Sequence, residues 1–266
     1  MKALYFNTFH KEYRNRALIF LALITVFVIL VANSLINYLR QEVVTAIGIQ
    51  DIAHQSLFIF YYVITSWSTL VAIFIGVGTI KSDMDTGALI QLMSFPISRT
   101  QYYLTRLSGA FSIVFLYYVL SVVLAMVMFS FSSGKFVFDF NIFGALLFTG
   151  LDIFFVILLS SFVAIYWGTL KSFVGVLIIL FVMSASSYTW SDLEFSNLYK
   201  DFGFFQSIKF AVYWLLPRLK NINEISSAIL IGKDFPKSWI SDTIHYFGST
   251  ILWSTIFIKI FNKRDL

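Results

Sequence analysis

Few side chains in this 266-residue chain could carry out covalent or metal chemistry. It contains no Cys, which excludes thiolate metal sites, Cys nucleophiles and disulfides. His10, His54 and His245 are widely separated and form no HExxH motif, so the sequence predicts no metal site. A phosphate-binding G-x-x-x-x-G-K-[ST] loop is also missing. We therefore expect that the chain is not an enzyme and does not bind ATP through such a loop.

Asp152 is the one acidic residue well inside a long apolar stretch. A carboxylate within a membrane is energetically costly and indicates a functional site, either lining a translocation path or pairing across a subunit interface. The alternative is a structural role, as a protonated acid hydrogen-bonded to a neighbouring Ser or Thr. No partner that would decide between these two roles is evident from the sequence.

The composition predicts that these residues are carried by membrane helices. The chain is 59% hydrophobic and 12% charged, with a mean hydropathy of +0.82, whereas about a quarter of the residues of a soluble domain are charged. Continuous apolar runs of about 20 residues suit α-helices and not the alternating strands of a β-barrel. The net charge of +5 is explained by lipid headgroups and membrane-flanking loops, so we expect no nucleic-acid partner.

Hydropathy predicts a single all-α polytopic membrane domain, residues 1–266, with six transmembrane helices. The predicted spans are residues 17–36, 57–80, 108–131, 142–167, 173–188 and 243–261. Basic residues concentrate before the first span, between the second and third, and at the C-terminal end, where they include Lys11, Arg14, Arg16, Lys81, Arg99, Arg106 and Lys263. The positive-inside rule therefore places both termini in the cytoplasm of a multi-pass protein of the cytoplasmic (inner) membrane.

The loop between the second and third spans has strong helix start and stop signals. Ser82, Asp83 and Asp85 suit an exposed helix N-terminus, and an amphipathic helix follows, with Leu89, Leu92 and Met93 on one face. Phe95-Pro96 ends this helix. Ser98 and Gln101 then form a predicted capping box, which starts the helix that continues into the third span. The alternative is an interfacial helix that only completes the turn.

This loop resembles the intracellular loop of ABC-2 type transporter permeases. The matching residues are Asp83, Asp85, Thr86, Gly87, Leu89, Leu92, Met93, Pro96, Ser98, Arg99 and Arg106. The segment FHKEYRNR (residues 9–16), with Lys11, Glu12, Arg14 and Arg16, is similar to the family's N-terminal interfacial helix, and FNKRDL (residues 261–266) to its basic-acidic ending. The six spans and the long outer segment before the last span also match that family.

The resemblance implies a pore-forming subunit, most simply of an exporter. Two such subunits, identical or paralogous, pair in the bilayer, and each docks a separate ATP-hydrolysing subunit through the loop helix, called the coupling helix. The contact residues would be Asp83, Asp85, Thr86, Gly87, Leu89, Leu92, Met93, Pro96 and Arg99. ATP and Mg²⁺ would be bound by the partner subunit, and this chain would hold no cofactor of its own.

The segment between the fifth and sixth predicted spans is expected on the extracytoplasmic side. Its apolar run at residues 202–217, interrupted by Lys209, is too short to cross the bilayer. The resemblance implies a re-entrant hairpin here, and the alternative is a lid over the outer end of the dimer. The size of this segment also leaves open a second function, in which the subunit passes ATP-driven motion to an extracytoplasmic accessory protein without moving a solute.

Overall fold

The chain folds entirely into helices in the part that the structure describes. The computed structural model describes residues 2–13, 16–47, 52–133, 141–190, 203–231 and 234–263. Within these ranges there are ten helices and no strand, which confirms the predicted all-α class. They are α1 (Lys2–Tyr13), α2 (Arg16–Ile47), α3 (Ile52–Asp85), α4 (Ala88–Met93), α5 (Arg99–Ser133), α6 (Asn141–Tyr166), α7 (Thr169–Trp190), α8 (Phe204–Leu215), α9 (Leu219–Ile231) and α10 (Trp239–Lys263).

Among the described residues, six helices are long and apolar enough to cross a membrane. Their apolar stretches are Ile19–Tyr38, Ile59–Asp85, Arg99–Phe131, Asn141–Tyr166, Thr169–Ser187 and Trp239–Lys263. These coincide with the six predicted spans and confirm a multi-pass membrane protein. The third membrane-spanning helix, α5, begins several residues before the predicted start of its span. The reason is that the helix starts at the Ser98–Gln101 cap and not where the apolar run begins.

The helix at the centre of the fold is α6. In the most apolar stretch of α6, 67% of the residues are buried within the chain, compared with 22% in the corresponding stretch of α2. It packs against α3 on one side and α9 on another. Phe155, Ile157 and Leu158 are fully buried in this core. The exposed apolar side chains of α2, such as Phe20 and Phe27, are suited to contact with lipid tails or with another apolar helix.

The helices α3 and α6 approach each other closely at Gly76. A Cβ atom added at this position would lie 2.8 Å from the Cβ of Ser160 and 3.1 Å from the Cα of Ile157. Small residues at a helix interface allow such backbone contact, which is a main source of helix association in lipid. Gly76 therefore fixes the distance between the two most extensively packed helices.

A buried cluster of four hydroxyl side chains joins α3, α5, α6 and α9. The Tyr61 hydroxyl lies 2.7 Å from Thr149 Oγ1 and 2.8 Å from Ser226 Oγ, and it accepts a hydrogen bond of 3.0 Å from Tyr118. Ser226 also donates to the Ala145 carbonyl at 2.9 Å. Because an unpaired polar group costs several kcal/mol in hydrocarbon, roughly 2–7 kcal/mol, these bonds hold α9 in one position against the other three helices.

The short helices α8 and α9 meet at a corner, residues 216–218. Arg218 in this corner forms a buried ion pair with Asp242, with 2.8 Å between Nη1 and Oδ1, and its guanidinium lies 4.0 Å from the centre of the Tyr213 ring. Ser238 donates a second hydrogen bond to Asp242, at 2.7 Å. The corner is therefore attached to the first turn of α10.

Contacts along its length show that α9 runs antiparallel to α6. Near the C-terminal end of α9, Ile229 packs against Gly144 in the first turn of α6. At the N-terminal end of α9, Leu219 lines the same cavity as Asp152 and Val156, near the middle of α6. The corner between α8 and α9 is thus at the level of the middle of α6, and α9 returns from there towards the start of α6.

Replacing Gly76 with Ala tests the close packing of α3 on α6. The added methyl group would force Ser160 or the α6 backbone to move, and overpacking of this kind typically costs about 1–3 kcal/mol. We expect a lower apparent melting temperature for the purified protein in detergent. Gly78→Ala is the matched control, because a Cβ at Gly78 meets no atom within 4 Å and Ala favours the helix by about 1 kcal/mol. Equal stability of the two variants would contradict this account of the interface.

Candidate functional site

The predicted loop begins at a buried carboxylate that two cations share. Asp83, in the last turn of α3, is 2% exposed. Its Oδ1 lies 2.8 Å from Lys11 Nζ, and its Oδ2 lies 2.5 Å from Arg106 Nη2. The Tyr102 hydroxyl donates to Oδ2 at 2.6 Å. We call these four residues, Asp83, Lys11, Arg106 and Tyr102, the Asp83 cluster.

The Asp83 cluster attaches α1 to the two long helices α3 and α5. Lys11 also donates to Ser82 Oγ at 2.6 Å, and Arg106 Nη1 donates to Thr8 Oγ1 at 2.9 Å. Thr8 fits directly over Gly109 of α5, where a Cβ would lie 2.9 Å from the Thr8 side chain. The N-terminal helix is therefore held to the bundle by charge and by close packing. Arg14, and the side chains of Glu12 and Arg16, lie outside the described residues.

The six-residue helix α4 follows directly, and its start depends on a glycine. Gly87 precedes the helix with φ of 70°, a left-handed conformation that costs other L-residues free energy. Thr86 Oγ1 donates to the Ser82 carbonyl at 2.8 Å, closing the last turn of α3. The chain thus turns sharply out of α3 and sets α4 beside it.

The capping box predicted at the start of α5 is present. The Gln101 backbone N–H donates to Ser98 Oγ at 3.2 Å, and the Ser98 N–H donates to Gln101 Oε1 at 3.2 Å. These reciprocal bonds satisfy N–H groups that have no partner inside the helix. The direction in which α5 leaves the loop is therefore determined locally, by two residues.

The end of α10 packs against the start of α5. Arg99 Nη1 donates to the Asn262 carbonyl at 3.1 Å, and Asn262 Nδ2 donates to Thr100 Oγ1 at 2.9 Å. The Phe261 ring stacks on Tyr102 with 6.3 Å between ring centres. The last membrane helix thus reaches the same cluster as the N-terminal helix α1. Residues 264–266 of the predicted basic-acidic ending lie outside the described part of the chain.

The amphipathic face of α4 points into this chain and not away from it. Leu89 is 2% exposed, and Leu92 and Met93 pack against the same core. Burying apolar side chains within the chain is favourable without any partner, so the burial of this face is explained within the chain, and its predicted contact with another subunit stays a prediction. The charge of Asp83 is likewise satisfied within the chain, by Lys11 and Arg106.

The outward surface of the loop consists of other residues. Ile90 is 66% exposed and Phe95 is 60% exposed, and three of the predicted contact residues, Asp85, Thr86 and Pro96, are also exposed. We call Asp85, Thr86, Ile90, Phe95 and Pro96 the α4 surface. The signal for Ile90 was available in the sequence, because an apolar residue there lies off the face formed by Leu89, Leu92 and Met93. Gly87 and Arg99 are only partly exposed.

The second candidate site surrounds Asp152, the twelfth of the 26 residues of α6. Asp152 is 5% exposed and lines a cavity of about 350 Å³ between α3, α6, α7 and α9. Neither carboxylate oxygen has a hydrogen-bond partner among the described residues, so the alternative of an acid bonded to a neighbouring Ser or Thr is not what the structure shows. In the same part of the chain, no three His, Cys, Asp or Glu side chains are placed to bind a metal.

Comparison with protein-family models and with curated proteins found no match to this chain.

Replacing Asp83 with Asn would leave the buried Arg106 guanidinium without its counter-ion. Removing one member of a buried pair typically costs roughly 3–5 kcal/mol, so we expect a marked fall in the melting temperature and faster proteolysis of the N-terminal helix. Asp85→Asn is the matched control, because Asp85 is 54% exposed in its pair with Lys81 and such pairs contribute about 1 kcal/mol or less. If Asp83→Asn were no less stable than Asp85→Asn, the cluster would not hold α1 in place.

Proposed function

We propose that this protein is the transmembrane subunit of an ABC transporter of the ABC-2 type, driven by a separate ATP-hydrolysing subunit that docks on the α4 surface. The observation that supports this most directly is a short helix, packed against the bundle, that exposes the apolar side chain of Ile90, with Phe95 exposed in the turn that follows. Exposed apolar residues on a fixed support are typical of a protein contact. The sequence resemblance to ABC-2 permeases identifies the kind of partner.

The Asp83 cluster supports the transfer of force from α4 to the membrane helices. A movement of α4 acts on α3 through the short turn at Gly87, and on α5 through residues 94–98. Asp83 joins α3 to α5 through Arg106 and to α1 through Lys11, with distances of 2.5 and 2.8 Å. These short bonds allow little relative movement at this end of the bundle. Docking and release of the partner would therefore shift α1, α3 and α5 together.

ATP chemistry is assigned to the partner in this proposal. No Walker-type phosphate loop occurs in the sequence, and the partner would bind ATP and Mg²⁺. A second permease subunit, the same chain or a paralogue, would complete the translocation path. The exposed apolar side chains of α2, including Ile19, Leu23 and Phe27, offer a surface for a second subunit or for lipid.

We further propose that α8 and α9 form a re-entrant hairpin on the extracytoplasmic side of the membrane. The support is the position of their corner, level with Asp152 near the middle of α6. Phe204 and Phe205, at the start of α8, are 76% and 77% exposed, as suits side chains in the outer lipid interface. A lid lying above the membrane would not reach the middle of α6.

The cavity beside Asp152 favours solute transport over the alternative of mechanical signalling to an accessory protein. A polar cavity within a membrane bundle is costly to maintain and is typical of a substrate or ion pathway. A subunit that only transmits motion has no need of one. Stimulation of the ATPase activity of the complex by small molecules, rather than by a protein, is the expected behaviour.

Replacing Ile90 with Asp should weaken binding of the ATP-hydrolysing subunit without unfolding the chain, because Ile90 is exposed and a charge there becomes costly only when a partner covers it. We expect that a tagged wild-type protein co-purifies from its native membrane with a P-loop ATPase, and that Ile90→Asp reduces its recovery by roughly tenfold or more. Leu89→Asp would be a poor choice, since it places a charge in the chain's own core.

Two controls accompany this experiment. Ile90→Leu keeps the apolar surface and should retain the partner. Ile240→Asp introduces the same charge at a residue that is 56% exposed at the start of α10, far along the chain from the α4 surface, and should also retain it. Unchanged recovery of the ATPase with Ile90→Asp would remove the α4 surface as the docking site.

Membrane topology can be tested with single cysteines, because the native chain has none. We expect Asp234→Cys, on the predicted outer side, to react with an impermeant maleimide in intact cells, with any outer membrane permeabilised. Gln91→Cys, exposed beside α4, should react only after the cytoplasmic membrane is opened. Asn197, another predicted outer position, lies outside the described residues. Reaction of Gln91→Cys in sealed cells would contradict a cytoplasmic α4.

A further inference from the structure

The Asp152 cavity has a closed end and an open side. Asp152 lies at the closed end, buried in α6, whereas Tyr62, Ser66, Ser184 and Glu224 on its other walls are exposed. These four residues belong to α3, α7 and α9, so the opening lies between those helices. A molecule entering from that side would meet the carboxylate last. The cavity therefore has the form of a pocket, with its charge at the bottom.

The carboxylate of Asp152 has no partner in the described part of the chain, and both its oxygens are without hydrogen bonds. Thr65 Oγ1, which lines the same cavity, also has no partner among the described residues, whereas the Tyr61 hydroxyl lies within hydrogen-bond distance of four oxygen atoms. A buried carboxylate left unpaired is unfavourable unless it is protonated or a cation binds to it. The described residues thus leave the carboxylate of Asp152 open to a partner that a bound ligand can supply.

The other charges of the cavity do not neutralise Asp152. Lys220 and Glu224, one turn apart on α9, form an ion pair with 3.3 Å between Nζ and Oε1. Their charges cancel, and the lining keeps one negative charge in excess when Asp152 is ionised. A cation with a single charge would balance the cavity.

Two hydroxyl groups in the wall, those of Thr69 and Ser227, are placed to accept hydrogen bonds. Thr69 Oγ1 donates its proton to the Thr65 carbonyl at 2.9 Å, and Ser227 Oγ donates to the Glu224 carbonyl at 2.9 Å. Each hydroxyl hydrogen is thus used within the helix, and the remaining lone pairs can only accept. A ligand with N–H donors suits such a wall better than a ligand rich in acceptors.

The size of the cavity argues for an organic ligand. Its volume of about 350 Å³ lies in the range of small-molecule pockets, roughly 300–1,000 Å³, and one water molecule takes about 30 Å³. A bare metal ion would leave most of that space to water. The rings of Tyr61 and Tyr62 also line the cavity, and aromatic rings attract organic cations.

We propose that the Asp152 cavity binds small organic ammonium ions, with the ammonium group on the Asp152 carboxylate and the apolar part of the ligand towards the open side. That such ions are also transported rests on the proposed function above, whereas binding does not require it. This proposal names a substrate class for the translocation path and gives Asp152 the position of its charge-recognising residue.

Equilibrium binding to the purified protein in nanodiscs tests the proposal without an ATPase subunit. The probes are phenethylammonium, its uncharged isostere propylbenzene and the anion phenylpropionate, each corrected for uptake by empty nanodiscs. We expect phenethylammonium to bind in preference to both analogues. Asp152→Asn should weaken its binding by roughly tenfold or more, because a charge-assisted hydrogen bond is replaced by a neutral one.

Two further variants keep the test decisive. Asp234→Asn makes the same chemical change at an exposed residue outside the cavity and should leave binding unchanged. Asp152→Glu keeps the charge and should retain the preference for the cation, even if Asp152→Asn is recovered in low yield. The comparison of cation with neutral isostere in the wild-type protein requires no variant at all.

Three results would overturn the proposal. Equal binding of phenethylammonium to wild type and Asp152→Asn would exclude the carboxylate as the recognition group. No preference for the cation over propylbenzene would leave Asp152 as a protonated acid. Asp152-dependent binding of radioactive sodium, without binding of phenethylammonium, would assign the cavity to an inorganic ion. Failure of the tagged wild-type protein to co-purify with a P-loop ATPase would refute the transporter function but would not affect these measurements.

Discussion

The arrangement of this protein depends on a single buried carboxylate. Asp83 ends α3 and is bonded to Lys11 of α1 and to Arg106 and Tyr102 of α5, while Phe261 of α10 stacks on Tyr102. Four helices therefore meet around one charge. Because an unpaired charge is so costly away from water, α1, α3 and α5 cannot separate from one another without breaking an ion pair.

The opposite half of the molecule is organised by neutral hydrogen bonds. The hydroxyl groups of Tyr61, Tyr118, Thr149 and Ser226 satisfy one another and hold α9 against the bundle, and the ion pair of Arg218 with Asp242 holds the corner before it. Close to these groups lies Asp152, whose carboxylate has no hydrogen-bond partner among the described residues. A polar frame that positions one unpaired acid suits the binding role proposed for it, because the group is in place before a ligand arrives.

Much of the secondary structure was predictable, because local rules decide it. The six long helices follow from apolar runs that have no alternative in lipid but to form helices. The capping box of Ser98 and Gln101 needs only two side chains three residues apart. What covers the apolar face of α4 was not predictable: the sequence assigned Leu89, Leu92 and Met93 to a partner, and in the structure Leu89 is buried and the other two pack against the core of the chain itself. Periodicity shows that a face is buried but not what buries it.

What the sequence by itself determined is the membrane setting, the start of α5 at the Ser98–Gln101 capping box, and the presence of one acid inside an apolar helix. Only the tertiary structure decided that Asp83 lies between Lys11 and Arg106, that Ile90 and Phe95 face outward, and that Asp152 has no hydrogen-bond partner among the residues that the structure describes. The physical reason is that hydropathy and capping act within a few residues, whereas the pairing of buried charges and hydroxyls depends on which helices become neighbours. In a bundle of similar apolar helices, that choice rests on a few small or polar residues such as Gly76 and Ser226.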